Sequence, residues 1–176
     1  ATATVLGLTP EERVATFLPL FHGFGLTTTL LAPFLAGSEA VIIDRFTPAE
    51  AAAALKARRP TSFPAVPTMI AQMFAEGLLS PEVVGTVQKF IVGGAALKNE
   101  LYEKVFAGTG TTLLQGYGLT ENSPVVSTNR TPETQKVGSV GPPLPSVEVA
   151  VEKDGALVAP GVVGEVGVRG PSLMTG

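Results

Sequence analysis

Short apolar runs alternate with longer amphipathic or capped segments through the first two thirds of the chain. Val14–Leu20, Glu39–Asp44 (EAVIID), Thr61–Val66, Lys89–Val92 and Thr111–Gln115 are short, apolar and bounded by turn residues, and each predicts a strand. EAVIID is continuous rather than alternating, the pattern of a strand covered on both faces. Pro10-Glu11-Glu12-Arg13 marks a turn ahead of the first run. Between the runs, helices are predicted over Gly25–Ala36, Ala51–Arg59, Pro67–Glu76 and Lys98–Phe106, with Pro81–Gln88 a loop or a single helical turn. The start at Thr47-Pro48-Ala49-Glu50 is well marked, with an N-cap hydroxyl, proline at the first helical position and an acid at the third. Pro60 stops that helix. In the next one, Met69, Ile70, Met73 and Phe74 fall on one side. The 25–36 segment has no charge in it and is expected to be buried.

This alternation predicts an α/β fold, a mostly parallel sheet whose strands are joined by right-handed crossovers and covered by helices. The style changes after Gly116. Residues 116–146 repeat Gly, Pro, Thr and Ser without a long periodic segment, and Val147–Glu152 and Glu165–Arg169 then read as strands around a Lys153-Asp154-Gly155 turn. Residues 1–140 are therefore expected to form an α/β subdomain, and 141–176 the start of a β-rich subdomain. That second unit reads as incomplete: Gly170–Gly176 supplies no closing element, and a lone two-stranded piece is marginal in water.

Composition narrows the classes. With 45% hydrophobic residues and a net charge of −3, the chain is not a disordered one. The absence of cysteine excludes a disulfide scaffold and a Cys-rich zinc site, and a single histidine excludes a His-rich metal site. The 20 glycines and 15 prolines follow no triplet period, so the chain is not collagen-like. Charged residues make up only 15%. That points to a loop-rich domain, or to a piece of a larger protein whose missing part covers an apolar face and which self-associates without it. Leu18–Leu35, the longest apolar stretch, is broken by His22, glycines, prolines and threonines, so no membrane span is expected. Nor is a signal peptide, since no basic region precedes an apolar one. Basic residues are scattered, against a nucleic-acid surface. Their one cluster, Lys56, Arg58 and Arg59, reads as last-turn charges opposite a helix dipole.

Open parallel sheets bind ligands beyond the carboxyl ends of their strands. Three segments are expected there: Phe21-His22-Gly23-Phe24-Gly25, Gly93-Gly94-Ala95-Ala96 and Gly116-Tyr117-Gly118-Leu119-Thr120-Glu121. The last is the richest. Tyr117 between two glycines presents a ring face to a planar group, Thr120 offers a hydroxyl, and Glu121 a hard oxygen of the kind Mg²⁺ takes alongside phosphate. A plain turn around a packed tyrosine accounts for the same spacing, and Glu121-Asn122 also reads as a helix start. His22 has three readings: a satisfied core or strand-end histidine, a pocket-lining residue or a general base. The last lacks an evident nucleophile, since no Gly-x-Ser-x-Gly elbow is present. The Walker loop and the dinucleotide Gly-x-Gly-x-x-Gly are also absent, and Gly108-Thr109-Gly110 precedes a strand and is read as a turn.

Taken in order, these segments resemble the adenylate-forming (AMP-binding) superfamily on its acyl-CoA synthetase, fatty-acid–CoA ligase side, over essentially the whole chain. Leu18-Pro-Leu-Phe-His-Gly-Phe-Gly25 resembles that family's PLFH-x-x-G motif, Val66-Pro-Thr68 its VPT helix start, and Val92-Gly-Gly-Ala-Ala-Leu97 its GGAAL segment. Gly116-Tyr-Gly-Leu-Thr-Glu121 resembles the GYGxTE core, Gly138-Ser-Val-Gly-Pro142 the GSVGxP loop, and Gly164-Glu-Val-Gly-Val-Arg-Gly170 the GELxVRG strand. A small departure is Leu97-Lys98, where many members have Pro-Leu.

The resemblance implies an enzyme that uses ATP and Mg²⁺ to convert a carboxylic acid, expected to be fatty, to an acyl-adenylate and then passes it to CoA. It places Gly94, Ala95 and Ala96 along the adenine and Tyr117 on the purine, with Gly116 and Gly118 leaving room for the nucleotide. Thr120 would bond the α-phosphate and Glu121 would coordinate Mg²⁺. His22 would lie near the acyl carboxylate and the pantetheine end, with Phe24 and Gly93 on the acyl pocket. Thr120, Glu121 and His22 are thus the implied catalytic residues. The family's phosphate-gripping lysine loop, ribose aspartate and catalytic lysine have no counterpart in this sequence. It is therefore expected to be an internal fragment of the large N-terminal domain, inactive alone, from a cytoplasmic enzyme with peripheral membrane association left open. A carrier-protein thiol as acceptor and a non-catalytic nucleotide-binding module are the rival readings.

Overall fold

The computed structural model describes residues 1–175. The five predicted strands form its parallel sheet: β1 (Arg13–Thr16), β2 (Glu39–Ile42), β3 (Ser62–Ala65), β4 (Lys89–Val92) and β5 (Thr112–Gly118). A sixth strand, β6 (Val125–Thr128), runs antiparallel to β5 and completes the order β2-β1-β3-β4-β5-β6. β6 lies inside the stretch that carried no periodic signal. Its four residues follow Pro124, and they pair only because β5 continues three residues past Gln115. The helices are α1 (Thr2–Val5), α2 (Ala32–Ala36), α3 (Pro48–Arg58), α4 (Pro67–Ala75), α5 (Pro81–Val84) and α6 (Asn99–Thr109). Helix α1 was not foreseen. The predicted 25–36 helix is a composite, a π-helix over Gly25–Leu31 leading into α2.

The main core packs one sheet face against α3, α4, α5 and α6. Phe63 and Phe90, on the central strands, are fully buried with ring centroids 5.5 Å apart, and Phe17 lies 5.2 Å from Phe63. Leu55, Ile70, Met73 and Val105 complete the layer. Burying side chains of this size contributes about 1.5–3 kcal/mol each. At the start of α3, the Thr47 hydroxyl accepts the Glu50 amide at 3.1 Å, as the capping pattern predicts. Pro81–Val84 is a single helical turn, capped by Ser80.

The structure corrects two expectations and extends a third. Strand β2 is not covered on both faces, because it is the sheet edge, and Ile42 is 59% exposed. The 25–36 helix is buried on one face only: Thr28, Thr29 and Ala32 are inside, while Phe34 and Leu35 are 80% and 82% exposed. Lack of charge does not by itself specify burial; packing does. Lys56 lies in the last turn of α3, as expected, and its ammonium also donates to the Glu82 carboxylate at 2.8 Å and ties α3 to α5.

Pro64 shapes the sheet's centre. The Ala65 carbonyl accepts from the Gly93 amide on the β4 side, so by strand alternation the Pro64 nitrogen faces β1, where it has no proton to donate. β3 accordingly pairs with β4 along its length but meets β1 only at Val14–Ser62.

A second, separate sheet holds β7 (Glu148–Lys153), β8 (Ala156–Leu157) and β9 (Glu165–Arg169) in the antiparallel order β8-β7-β9. The Asp154-Gly155 turn, with both φ angles positive, closes onto β8 rather than onto the predicted partner β9, which lies on the other side of β7.

Candidate functional site

The loops that follow β1 and β4, and the carboxyl end of β5 with the turn after it, converge on one cavity. The first supplies His22 and Phe24, the second Gly93 and Gly94, and the third Gly116, Tyr117, Gly118 and Thr120. Topology alone accounts for this: β4 and β5 are parallel neighbours, and β1 is one strand removed. Ala95, Ala96 and Glu121 do not line the cavity. They are exposed, the alanines continuing the loop from Gly94 and the glutamate following Thr120.

Each loop is held from within the protein. The His22 Nδ1 accepts the Phe24 amide at 3.2 Å, which places the proton of the neutral ring on Nε2. His22 is exposed, so it is not a buried strand-end histidine; it lines the cavity, and no nucleophile or orienting carboxylate bonds it among the described residues. Gly93 lies under the Phe24 ring: a Cβ there would come 3.2 Å from Phe24 Cζ. At Gly118 a Cβ would come 2.2 Å from the Pro124 carbonyl oxygen, the same oxygen that accepts the Leu119 amide at 2.7 Å. The close approach that requires glycine at 118 is therefore that of the returning strand β6.

The reversal between β5 and β6 is a 3₁₀ turn, Thr120–Asn122. Asn122 is fully buried; its amide donates to the Val125 carbonyl at 3.0 Å, and its Oδ1 accepts the Ser172 hydroxyl at 3.1 Å. The Glu121 carbonyl accepts the Met174 amide at 2.7 Å. Anchored on its inner side, the turn leaves the Thr120 and Glu121 side chains on the outside. Asn129 does similar work one strand on. Its amide donates to the Gln115 and Ser139 carbonyls at 2.9 and 2.7 Å, and its Oδ1 accepts the Lys136 amide at 3.1 Å, fixing the 136–141 loop against β5.

Several lining residues were not foreseen. Val5 ends α1 and Leu6 caps it, Thr28 comes from the π-helix, Ile91 from β4 and Leu144 from the loop after Gly141. Only Thr28 left a trace in the sequence, as a polar triplet inside an apolar run. No Asp, Glu, Lys or Arg lines the cavity, and no group of three or more metal-ligating side chains occurs among the described residues. No helix among them is long and apolar enough to cross a membrane.

A family model described as AMP-binding enzyme matches residues 1–176. The chain is 35% identical over 167 residues to a long-chain-fatty-acid–CoA ligase of Bacillus subtilis, covering 94% of this chain and 30% of that protein. It is 34% identical over 180 residues to a 2-succinylbenzoate–CoA ligase of Bacillus velezensis, covering 100% and 35%. Among solved structures, a benzoate CoA ligase from Burkholderia xenovorans superposes with a TM-score of 0.90 at 30% identity, over 98% of this chain and 36% of that one. MenE of Bacillus subtilis, the O-succinylbenzoate CoA synthetase solved with ATP and a magnesium ion, gives 0.84 at 31%, over 99% and 37%. The chain spans about a third of the length of these relatives. They share CoA ligation and differ in the acid, so the likeness does not single out a fatty-acid branch. The chain belongs to the AMP-binding enzyme family.

Proposed function

We propose that the full-length protein activates a carboxylic acid with ATP and transfers it to the thiol of CoA, and that this chain forms the wall where nucleotide and acid meet. The observation that carries this reading is the convergence of the His22, Gly93 and Tyr117 loops on one uncharged, largely apolar cavity. In the first step a carboxylate oxygen attacks the α-phosphorus, the bond from that phosphorus to the β-phosphate bridging oxygen breaks, and pyrophosphate leaves. In the second, the CoA sulfur attacks the acyl carbonyl, AMP leaves and the thiol proton is lost to solvent or base. Both steps depend on holding the reactants in line in a water-poor site.

The Tyr117 ring would stack on the adenine beside the backbone of Gly94, Ala95 and Ala96. Gly116 and Gly118 keep that strand end narrow, and the Thr120 hydroxyl would bond the α-phosphate. His22, with Nε2–H free, would donate to the acyl carboxylate, and Phe24 over Gly93 would bound the acyl chain. An exposed carboxylate that belongs to no group of three or more ligating side chains suits Mg²⁺ carried in on ATP: Glu121 would hold the ion together with phosphate oxygens and water. The ion would supply charge neutralisation at the phosphates. The apolar wall of Val5, Leu6, Ile91, Val92 and Leu144 supports a fatty or otherwise apolar acid.

The test is AMP release by the full-length protein across acetate, octanoate, palmitate and benzoate, with and without CoA. CoA-dependent thioester formation, lost with Glu121→Gln or on chelation of Mg²⁺, is the expected result. Absence of acid-dependent AMP release would overturn the proposal.

A further inference from the structure

We infer that the acid carries a neutral oxygen substituent on its acyl portion, and that Thr28 is the residue that selects it. This rests on the proposed function and deepens it. Thr28 lines the cavity, is only 1% exposed, and its hydroxyl has no hydrogen-bond partner in the protein. Its neighbour shows what that hydroxyl forgoes. Thr29, equally buried, donates back to the Gly25 carbonyl at 2.7 Å and its own carbonyl accepts the Thr16 hydroxyl at 3.1 Å. Both residues belong to the same π-helix, but Thr28 lies on the cavity wall, where its hydroxyl meets no partner in the protein.

Buried hydroxyls are nearly always paired, and one left open at a cavity wall stands ready for a ligand atom. The only other unpaired buried side-chain oxygen among the described residues is Ser62 Oγ, which lies in the sheet and not on the cavity. The class of partner follows from the rest of the wall. This chain's share of the wall places no charged side chain beside Thr28 to pair a second carboxylate or an ammonium. A hydroxyl or keto oxygen needs no such pairing, and a threonine hydroxyl can donate to either.

The experiment compares octanoate and benzoate with their monohydroxylated positional isomers in the full-length protein, reading kcat/KM for AMP release. At least one hydroxylated isomer should exceed its parent by about tenfold. Thr28→Val, which keeps the shape and removes the hydroxyl, should erase that preference, and Thr28→Ser should retain it. Because the hydroxyl is unsatisfied without ligand, Thr28→Val should also raise Tm, whereas a merely structural threonine would lose stability. Equal use of every isomer and its parent, a preference that survives Thr28→Val, or a fall in Tm overturns the inference while leaving acid activation intact. No AMP release with any acid overturns the proposed function, and this inference with it.

Discussion

Substituting alanine at Gly118 tests whether the glycines of the Gly116–Gly118 segment serve the fold or the ligand. The added Cβ would come 2.2 Å from the Pro124 carbonyl oxygen and 3.0 Å from its carbon, both backbone atoms that cannot rotate away. To reach ordinary contact the two strands must part by about 1 Å, which breaks the Leu119 amide bond to that same oxygen. Losing one such bond costs about 1–3 kcal/mol and the forced backbone shift about as much again. The expected loss is therefore about 3 kcal/mol, or a fall in Tm of about 6–12 °C for a chain of this size. Thermal and urea unfolding of the nucleotide-free chain, followed by circular dichroism, reads it directly. Two companions grade the effect. Gly116→Ala meets the Ser127 carbonyl at 3.0 Å and the Thr128 hydroxyl at 3.1 Å, so it should cost about 1 kcal/mol. Gly108→Ala, inside α6 with nothing within 4 Å, should stabilise by about 0.4–1 kcal/mol. A Gly118→Ala protein with wild-type Tm and impaired nucleotide binding would refute the reasoning, because the glycine would then be serving the ligand.

Asn129→Leu removes two donated bonds and one accepted bond, leaves the Lys136 amide unpaired, and should destabilise by about 2–4 kcal/mol; denaturant midpoints measure it, and protease cleavage within 130–141 should increase. The Glu82 carboxyl is held below its ordinary value by the hydrogen bond and the charge of Lys56. A depressed carboxylate contributes stability that is present above the unfolded value and is lost as pH falls through the folded one, so the α3–α5 tie should loosen only in acid. Carbon-detected NMR titration should show Glu82 moving back up in Lys56→Met. Tyr117→Ala should weaken AMP binding by about 5–100-fold, with Tyr117→Phe near wild type, since a stacked ring is worth about 1–3 kcal/mol per base; calorimetry on the full-length protein decides it.

What the sequence disclosed and what it withheld divide along one physical line. Strand cores and the α3 start were legible because their signals are local: β-branched runs, Thr47-Pro48 and the Pro60 stop lie within a few residues of what they specify. The three site segments were legible for the same reason, each being a glycine-rich stretch at or soon after the end of an apolar run. β6 was not. Val125–Thr128 becomes a strand only because β5 runs on to Gly118 and offers it an edge, a condition set by tertiary pairing. The role of Lys56 likewise depends on Glu82, 26 residues away.

Thr28 lies on that same line and shows why a site is harder to read than a fold. A threonine triplet in an apolar run looks like a weak helix segment, and two of its members behave as the sequence leads one to expect. Thr29 satisfies itself within the helix, and Thr27 is half-buried. All three share the π-helical register, in which Thr28 alone of the three lines the cavity, and no residue pattern encodes the register that puts it there. The backbone over 25–31 is fixed instead by what it packs on: Gly25, whose Cβ would come 2.3 Å from the Pro19 carbonyl oxygen, and Thr16 on β1, whose hydroxyl bonds the Thr29 carbonyl. If that packing sets the register, Gly25→Ala should return the segment toward an ordinary helix and let Thr28 bond internally. The oxygenated-acid preference would then disappear without any change at Thr28 itself. A Gly25→Ala protein that folds and still prefers the hydroxylated acid would show that the register owes nothing to that contact.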